Sequence, residues 1–158
     1  MELVFCSVGK LSADYAVRGI DEYLSRIRRY VPVRTLHAPE ERQTGRYSKA
    51  HRVDREGEGI LRRLEGVAQL EVVALDVGGK ALSSTELAKM VRRVLYEERR
   101  ALGFVVGGPD GLSSAVLTRA DRTLSLSKMT LPHDMACLIL VEQVYRSLTL
   151  ISRHPYAR

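Results

Sequence analysis

Short apolar runs alternate along this chain with longer segments whose apolar residues recur at helical spacing. The runs rich in β-branched or aromatic residues are predicted as strands: 2–8, 31–37, 70–76, 103–106 and 122–127. The longer segments are predicted as helices: 12–29, 49–64, 83–100, 113–120 and 133–151. Strands that alternate with helices favour a parallel sheet covered on both faces. We therefore predict an α/β fold with a mostly parallel sheet and helices on both of its faces.

Short sequence patterns indicate an edge strand, the start of a helix and a loop. Residues 31–37 alternate apolar and polar side chains. Pro32 fits an edge strand there, because proline donates no hydrogen bond to a sheet ladder. Ser83 and Glu86 form a capping-box pattern, which opens a helix. Residues 38–50 are polar and are predicted as a loop.

The totals are those of an ordinary globular chain. With 158 residues, 45% of them hydrophobic and 28% charged, the sequence predicts one domain over residues 1–158. No apolar stretch reaches the ~18 residues that a membrane helix needs, and the first residues lack a signal-peptide pattern. We expect no membrane association and a cytoplasmic location. Cys6, Cys137 and the histidines show no metal-ligand spacing, so no metal is predicted.

The basic residues carry information about partners. Lys and Arg number 25 against 19 Asp and Glu, a net charge of +6, and arginine supplies all but five of the cations. The planar arginine fork suits phosphate, so a polyanion such as RNA is one interpretation. A basic surface that is merely solvated, in a chain from a GC-rich genome, is the other. Charge alone does not choose between them.

The stretch "GGPDGLS" (107–113) follows the apolar run 102–106 directly. In parallel α/β sheets, ligands bind beyond the carboxyl ends of the strands. Three predicted strand ends qualify: 76–79, 107–109 and 127–129. The dinucleotide and P-loop glycine patterns are both absent. The glycines therefore form either a tight turn or the wall of a ligand site, and both interpretations stay open here.

The final predicted helix is unusual in its first half. Residues 135–141 are apolar all round, whereas a helix that covers a sheet normally keeps one polar face. This part must be buried on both sides, either within the domain or against a partner chain. Glu142 and Arg146 follow at i,i+4 spacing, which allows an ion pair.

Six sequence blocks occur in a fixed order and cover nearly the whole chain. They are "ELVFCSVGK", "VVALDVGGKALSSTELA", "GGPDGLS", "LSLSKMTLPH", "VEQVYRS" and "HPYAR". Together they resemble the ribosomal RNA large subunit methyltransferase H family (RlmH) of the SPOUT class. The resemblance implies S-adenosylmethionine-dependent methylation of N3 of a pseudouridine in the 23S rRNA of assembled ribosomes. It also implies a C-terminal trefoil knot and a homodimer.

The resemblance also implies site residues. The cofactor pocket is expected to contain Leu75, Gly107, Gly108, Pro109, Ser127, Lys128, Met129, Thr130, Leu131 and Pro132. Backbone groups hold an uncharged adenine and ribose closely where glycine leaves side chains out.

Two residues are candidates for catalysis and three for RNA binding. His133 would orient or deprotonate the target base, although it could instead satisfy backbone groups at a helix start. Tyr156 would stack on a base, or else only dock the tail. Arg146, Arg153 and Arg158 are expected to contact RNA, although Arg146 could simply pair with Glu142.

The chain departs from the family pattern at three positions. Cys137 stands where an arginine is expected, Arg153 where an asparagine is common, and Ala157 where a histidine usually follows. A non-catalytic RNA-binding ribosome factor on the same fold is therefore an alternative function. A related knotted methyltransferase that acts on tRNA is another.

Overall fold

The computed structural model describes residues 1–157, in which strands and helices alternate. The strands are β1 (Leu3–Val8), β2 (Val33–Ala38), β3 (Leu70–Ala81), β4 (Ala101–Val106) and β5 (Arg122–Ser125). The helices are α1 (Asp14–Ile27), α2 (Lys49–Glu65), α3 (Ser84–Arg92), α4 (Ser114–Arg119) and α5 (His133–Ile151). A π-helical turn, Arg93–Glu97, continues α3, and a 3-10 turn, Pro155–Ala157, follows α5.

The strands form one sheet in the order β2-β1-β4-β3-β5. Every neighbouring pair is parallel. β4 is buried along its whole length, as a central strand should be. β2 lies at one edge, directly after Pro32, where the missing N–H costs no ladder hydrogen bond. The predicted parallel α/β sheet and its edge strand are both confirmed.

Helices cover both faces of the sheet. On one face, α1, α3 and α5 pack against side chains such as Phe104 and Val73. On the other, Ile60 and Leu64 of α2 and Val116 of α4 pack against alternate residues of the same strands. The alternation of strand side chains between the two faces produces this division. The predicted covering of both faces is confirmed.

The trefoil knot is a property of chain threading that strand order does not test, and it stays a prediction.

Three elements end at places other than those predicted. β3 continues to Ala81 across an irregularity in which Leu75 and Lys80 both pair with Leu124. The predicted strand end at 76–79 is therefore an interruption within a longer strand. Regular α-helix stops at Arg92 instead of running on to residue 100. β5 ends at Ser125, two residues early.

The first half of α5 is buried largely by its own chain. Cys137, Leu140 and Val141 are at most 7% exposed, and α5 packs between α1 and α3. Met135 and Leu150 remain exposed on the outward face. The expected burial on the inner side is confirmed, and the outward side is left for solvent or a partner. Within residues 1–157, no helix is long and apolar enough to cross a membrane.

A buried carboxylate organises the amino-terminal end of the sheet. Glu71 is the second residue of β3, and its side chain is 4% exposed. Its oxygens accept hydrogen bonds from Arg93 (2.6 Å), Arg122 (3.0 Å) and Arg100 (3.1 Å). The three guanidinium groups reach solvent, so each charge is only partly desolvated.

Replacing Glu71 with glutamine should lower the free energy of unfolding by about 2–4 kcal/mol, because removing one member of a buried ion pair is strongly destabilising. The control is Glu97→Gln, which removes an exposed carboxylate that pairs with Arg92 at 3.2 Å. It should cost less than about 1 kcal/mol. Urea denaturation measures both, and equal small losses would contradict the role given to Glu71.

Candidate active site

A cavity of about 440 Å³ opens at the carboxyl ends of β4 and β5, beside the irregularity in the middle of β3. Its volume lies in the range of small-molecule clefts, roughly 300–1,000 Å³. The lining residues come from those two strand ends and the loops that follow them, from the interrupted part of β3 and from the start of α5. They are Leu75, Asp76, Val77, Val106, Gly107, Gly108, Pro109, Asp110, Gly111, Leu124, Leu126, Ser127, Met129, Thr130, Leu131, His133 and Ala136.

The glycine stretch is both a turn and a wall of this cavity. The Gly111 amide donates to the Gly108 carbonyl oxygen at 3.0 Å, which closes a four-residue turn. Gly111 has φ +88°, a conformation that side chains disfavour. A Cβ on Gly107 would lie 2.8 Å from the Gly111 backbone. The turn therefore requires glycine at both positions, and the same turn walls the cavity.

Two side chains of α2 hold this turn from behind. Arg52 donates to the Asp110 carboxylate at 3.0 Å. Glu56 is 5% exposed, and one of its oxygens accepts from the Glu41 amide at 3.0 Å. Burial raises the pKa of Glu56 above its ordinary value, against the lowering effect of that amide. Its other oxygen would lie 2.9 Å from a Cβ on Gly108. The cavity wall thus rests directly on the Glu56 carboxylate.

Sequence reasoning missed both of these residues. Arg52 and Glu56 lie on a helix with many charges, where a polar side chain usually faces water. No local pattern distinguishes Glu56 from exposed Glu58, two residues further on. Only the packing of α2 against the glycine turn reveals the difference.

His133 links the start of α5 to the same turn. Its Nδ1 lies 2.9 Å from the Gly107 carbonyl oxygen, which can only accept, so Nδ1 carries the proton. Its Nε2 lies 3.8 Å from Cys137 Sγ. Burial raises the pKa of Cys137 to about 12, which keeps the thiol protonated. His133 is thus held between a carbonyl and a thiol, with its ring against the cavity.

Asp134, the next residue, has a structural partner. Its carboxylate accepts hydrogen bonds from the Ala13 amide at 2.8 Å and the Ser12 amide at 3.0 Å. These amides lie at the start of α1. Burial opposes ionisation of Asp134, but these hydrogen bonds outweigh it and lower its pKa. Asp134 therefore joins the starts of two helices, where the helix dipoles favour a negative charge.

Most of the predicted cofactor residues come together in the cavity. Leu75, Gly107, Gly108, Pro109, Ser127, Met129, Thr130 and Leu131 all line it. Lys128 and Pro132 do not, and these two predictions are not supported by the lining. Lys128 is exposed, and Pro132 is the cap residue before α5. Within residues 1–157, no three His, Cys, Asp or Glu side chains gather as they would around a metal ion.

The tail docks on α5 away from this cavity. The Tyr156 hydroxyl donates to Glu142 at 3.0 Å and lies 3.2 Å from the Tyr23 hydroxyl. Burial, together with these hydrogen bonds, raises the pKa of Tyr156. Glu142 is nine residues beyond His133, or about 13 Å along a helix. Tyr156, the candidate for stacking on the base, therefore does not line the cavity of its own chain.

The arginines assigned to RNA fall in different surroundings. Arg146 pairs with Glu142 at 2.8 Å, and its guanidinium lies 5.2 Å from the centre of the Tyr156 ring. Arg153 is exposed and has φ +57°. Arg158 lies outside the described residues.

The family model described as "Predicted SPOUT methyltransferase" matches residues 1–157. The ribosomal RNA large subunit methyltransferase H of Alkaliphilus oremlandii is 41% identical over 159 residues, with 99% of each chain covered. The protein of that name from Bacillus thuringiensis is 40% identical over 158 residues, again with 99% of each chain covered. The chain belongs to this methyltransferase H family. The resemblance noted in the sequence is confirmed.

Solved structures of more distant proteins share the fold of this family member. A probable methyltransferase from Bordetella pertussis aligns with a TM-score of 0.60 at 17% identity, covering 93% of this chain and 94% of that one. A probable methylase family protein from Haemophilus influenzae aligns at 0.61 and 9% identity, covering 99% and 70%. At such identities the likeness concerns the fold alone.

Proposed function

We propose that this chain methylates N3 of a pseudouridine in the 23S rRNA of assembled ribosomes, with S-adenosylmethionine as the methyl donor. The observation that carries the proposal is the cavity at the strand ends, one wall of which is the backbone of the 107–111 turn. The full-length relatives named as large-subunit rRNA methyltransferases support the substrate class. We propose further that residues 1–158 form one SPOUT-type domain with a trefoil knot and act in the cytoplasm.

The cavity fits this cofactor in size and chemistry. Adenine needs an apolar slot with backbone donors and acceptors at its edge. Leu75, Leu124 and Leu126 supply apolar walls, and the 107–111 turn presents backbone groups without side chains. We assign cofactor binding to the predicted residues that line the cavity: Leu75, Gly107, Gly108, Pro109, Ser127, Met129, Thr130 and Leu131. When bound, the cofactor supplies an electrophilic methyl group on a sulfonium.

The residues of this chain act mainly by positioning. Transfer requires the methyl group and the acceptor nitrogen to be held in line at close range. His133 fixes the Gly107 carbonyl through its Nδ1–H, while Arg52 and Glu56 support the turn from behind. His133 therefore holds in place the part of the cavity wall against which the methyl donor binds. The N3 proton leaves to solvent, to which the cavity is open.

The direct test is incubation of the protein with tritiated S-adenosylmethionine and ribosomes from cells that lack it. We expect one methyl group per large subunit, located in 23S rRNA. Free 23S rRNA and tRNA serve as comparison substrates. Label in tRNA instead would favour the alternative knotted methyltransferase, and no label in any RNA would favour a non-catalytic ribosome factor.

We propose that the active form is a homodimer built on the outward face of α5. Met135 and Leu150 are exposed there, and Ile139 between them is half-buried. Val144 is fully buried within its own chain, so an aspartate at 144 would unfold the monomer instead of separating two chains. Leu138 is likewise unsuitable for a substitution meant to separate the two chains, because its side chain packs against α1 at Gly19.

Ile139→Asp should therefore convert the dimer to a folded monomer, because it places a charge in an apolar contact. The control is Glu58→Gln, a change at an exposed position of α2, and this variant should remain dimeric. Light scattering at low micromolar concentration measures the mass. A wild-type protein that is monomeric at that concentration would refute the homodimer.

A further inference from the structure

A second cavity, of about 400 Å³, lies between α3 and the edge strand β5. It is lined by Val73, Lys80, Leu82, Glu86, Lys89, Met90, Arg122, Thr123 and Leu124. Its floor is apolar, and three cationic side chains stand at its rim. We call it the β5 groove.

The one carboxylate of the β5 groove is already engaged. Glu86 accepts hydrogen bonds from the Ser83 amide at 2.7 Å and the Ser83 hydroxyl at 2.9 Å, which closes the capping box. These bonds lower the pKa of Glu86. Within residues 1–157, neither Lys80 nor Lys89 has a carboxylate within 4.0 Å of its ammonium nitrogen. The groove therefore keeps a net positive charge that its own side chains do not neutralise.

The third cation is held in position. Arg122 donates through Nε to buried Glu71 at 3.0 Å, and about half of its side chain is exposed. Its two Nη groups donate no hydrogen bond to any residue of the described chain. A guanidinium anchored by one edge presents the other edge to a ligand at little entropic cost, and its planar fork suits phosphate.

The β5 groove adjoins the proposed methyl-transfer cavity. Leu124 lines both of them. The irregularity of β3 places Leu75, which lines the first cavity, and Lys80, which lines the second, against this same residue. A strand of nucleic acid with one base at the mouth of the first cavity would have its neighbouring phosphates within reach of the second.

We propose that the β5 groove binds the sugar-phosphate backbone of the RNA strand next to the target base. This inference rests on the proposed function, and the ligand follows from the chemistry. Phosphate groups match the two lysines and the anchored guanidinium, and the apolar floor accommodates a sugar or a base face. The groove would thus orient the strand, while the target base meets the methyl donor at the mouth of the first cavity.

The test compares two double variants that each remove two positive charges. Lys80→Gln with Lys89→Gln alters the groove. Arg62→Gln with Arg63→Gln alters exposed positions on α2, on the opposite face of the sheet. The probes are ribosomes from cells that lack the protein, bound at several salt concentrations, and S-adenosylmethionine alone.

The groove variant should bind ribosomes about tenfold more weakly at 0.1 M salt. In a plot of the logarithm of affinity against the logarithm of salt concentration, its slope should become shallower by about 0.7–0.9 per lost phosphate contact. Its KM for ribosomes should rise while kcat stays nearly constant. Its affinity for S-adenosylmethionine should equal that of the wild type, which also shows that it is folded. The α2 variant should match the wild type throughout.

Two outcomes would overturn the inference. Equal salt slopes for the groove and α2 variants would show that the groove contacts no phosphate. Weaker ribosome binding with an unchanged slope would assign the groove to a ribosomal protein. Failure of the proposed function is a separate result, because the wild-type protein itself would then transfer no methyl group to ribosomes.

Discussion

Replacing Gly108 with valine is expected to abolish S-adenosylmethionine binding. A Cβ at this position would lie 2.9 Å from Glu56 Oε2 and 3.3 Å from Val8 Cγ1. The structure directs the new side chain at α2 and β1, so the turn must move away from its support. A displacement of about 1 Å in such a wall can also lower the rate of methyl transfer by about 100-fold, because transfer depends on alignment.

Titration calorimetry measures this effect, with Gly66→Val as the matched control. Gly66 has an ordinary φ of −76°, and a Cβ there would meet nothing within 4 Å. The control should bind with wild-type affinity. If the Gly108 variant is folded and also binds normally, the 107–111 turn is not a cofactor wall.

Two individually inactive variants are expected to restore activity when they are combined. Tyr156 docks beside Glu142, remote from the cavity of its own chain. If Tyr156 positions the base, it must therefore serve the cavity of the other protomer in the proposed homodimer. A chain with Gly108→Val keeps its tail, and a chain that lacks residues 153–158 keeps its cavity. Only a mixed dimer joins an intact cavity to an intact tail.

Random pairing of the two variants should recover about a quarter of wild-type methyl transfer, because half of the dimers are mixed and each has one complete site. Tritiated methyl incorporation into ribosomes measures the recovery, and each variant alone is the control. No recovery from the mixture would show that the tail acts within its own chain. Wild-type activity from the truncated chain alone would show that the base-facing residues lie elsewhere.

The sheet could be predicted because its signals are local. Apolar runs, helical spacing and the Ser83 capping box each depend on neighbours in the sequence. The course of β3 could not be predicted in the same way. "VGG" at 77–79 is typical of a turn, yet the strand continues. A Cβ on Gly79 would lie 2.8 Å from the Leu124 backbone, so this glycine permits contact with β5. Leu124, whose backbone requires a glycine at 79, lies 45 residues away in the sequence.

The candidate site was predictable to the extent that backbone forms it. Strand ends and glycines marked 107–109 and 127–129 as candidate positions, and the family resemblance then assigned 107–109 and the segment from Ser127 to the cofactor pocket. The supporting groups are side chains brought in by tertiary packing. Glu56 looks like any surface carboxylate until α2 is placed behind Gly108. The docking of Tyr156 depends in the same way on α1, which supplies Tyr23.

Mass spectrometry of 23S rRNA from cells with and without this protein tests the central claim most directly. We predict that one pseudouridine of the large subunit loses its N3 methyl group when the protein is absent. The methyl group should return with the wild-type protein and not with the Gly108→Val variant. An unchanged 23S rRNA methylation pattern in the absence of the protein would contradict the proposed function.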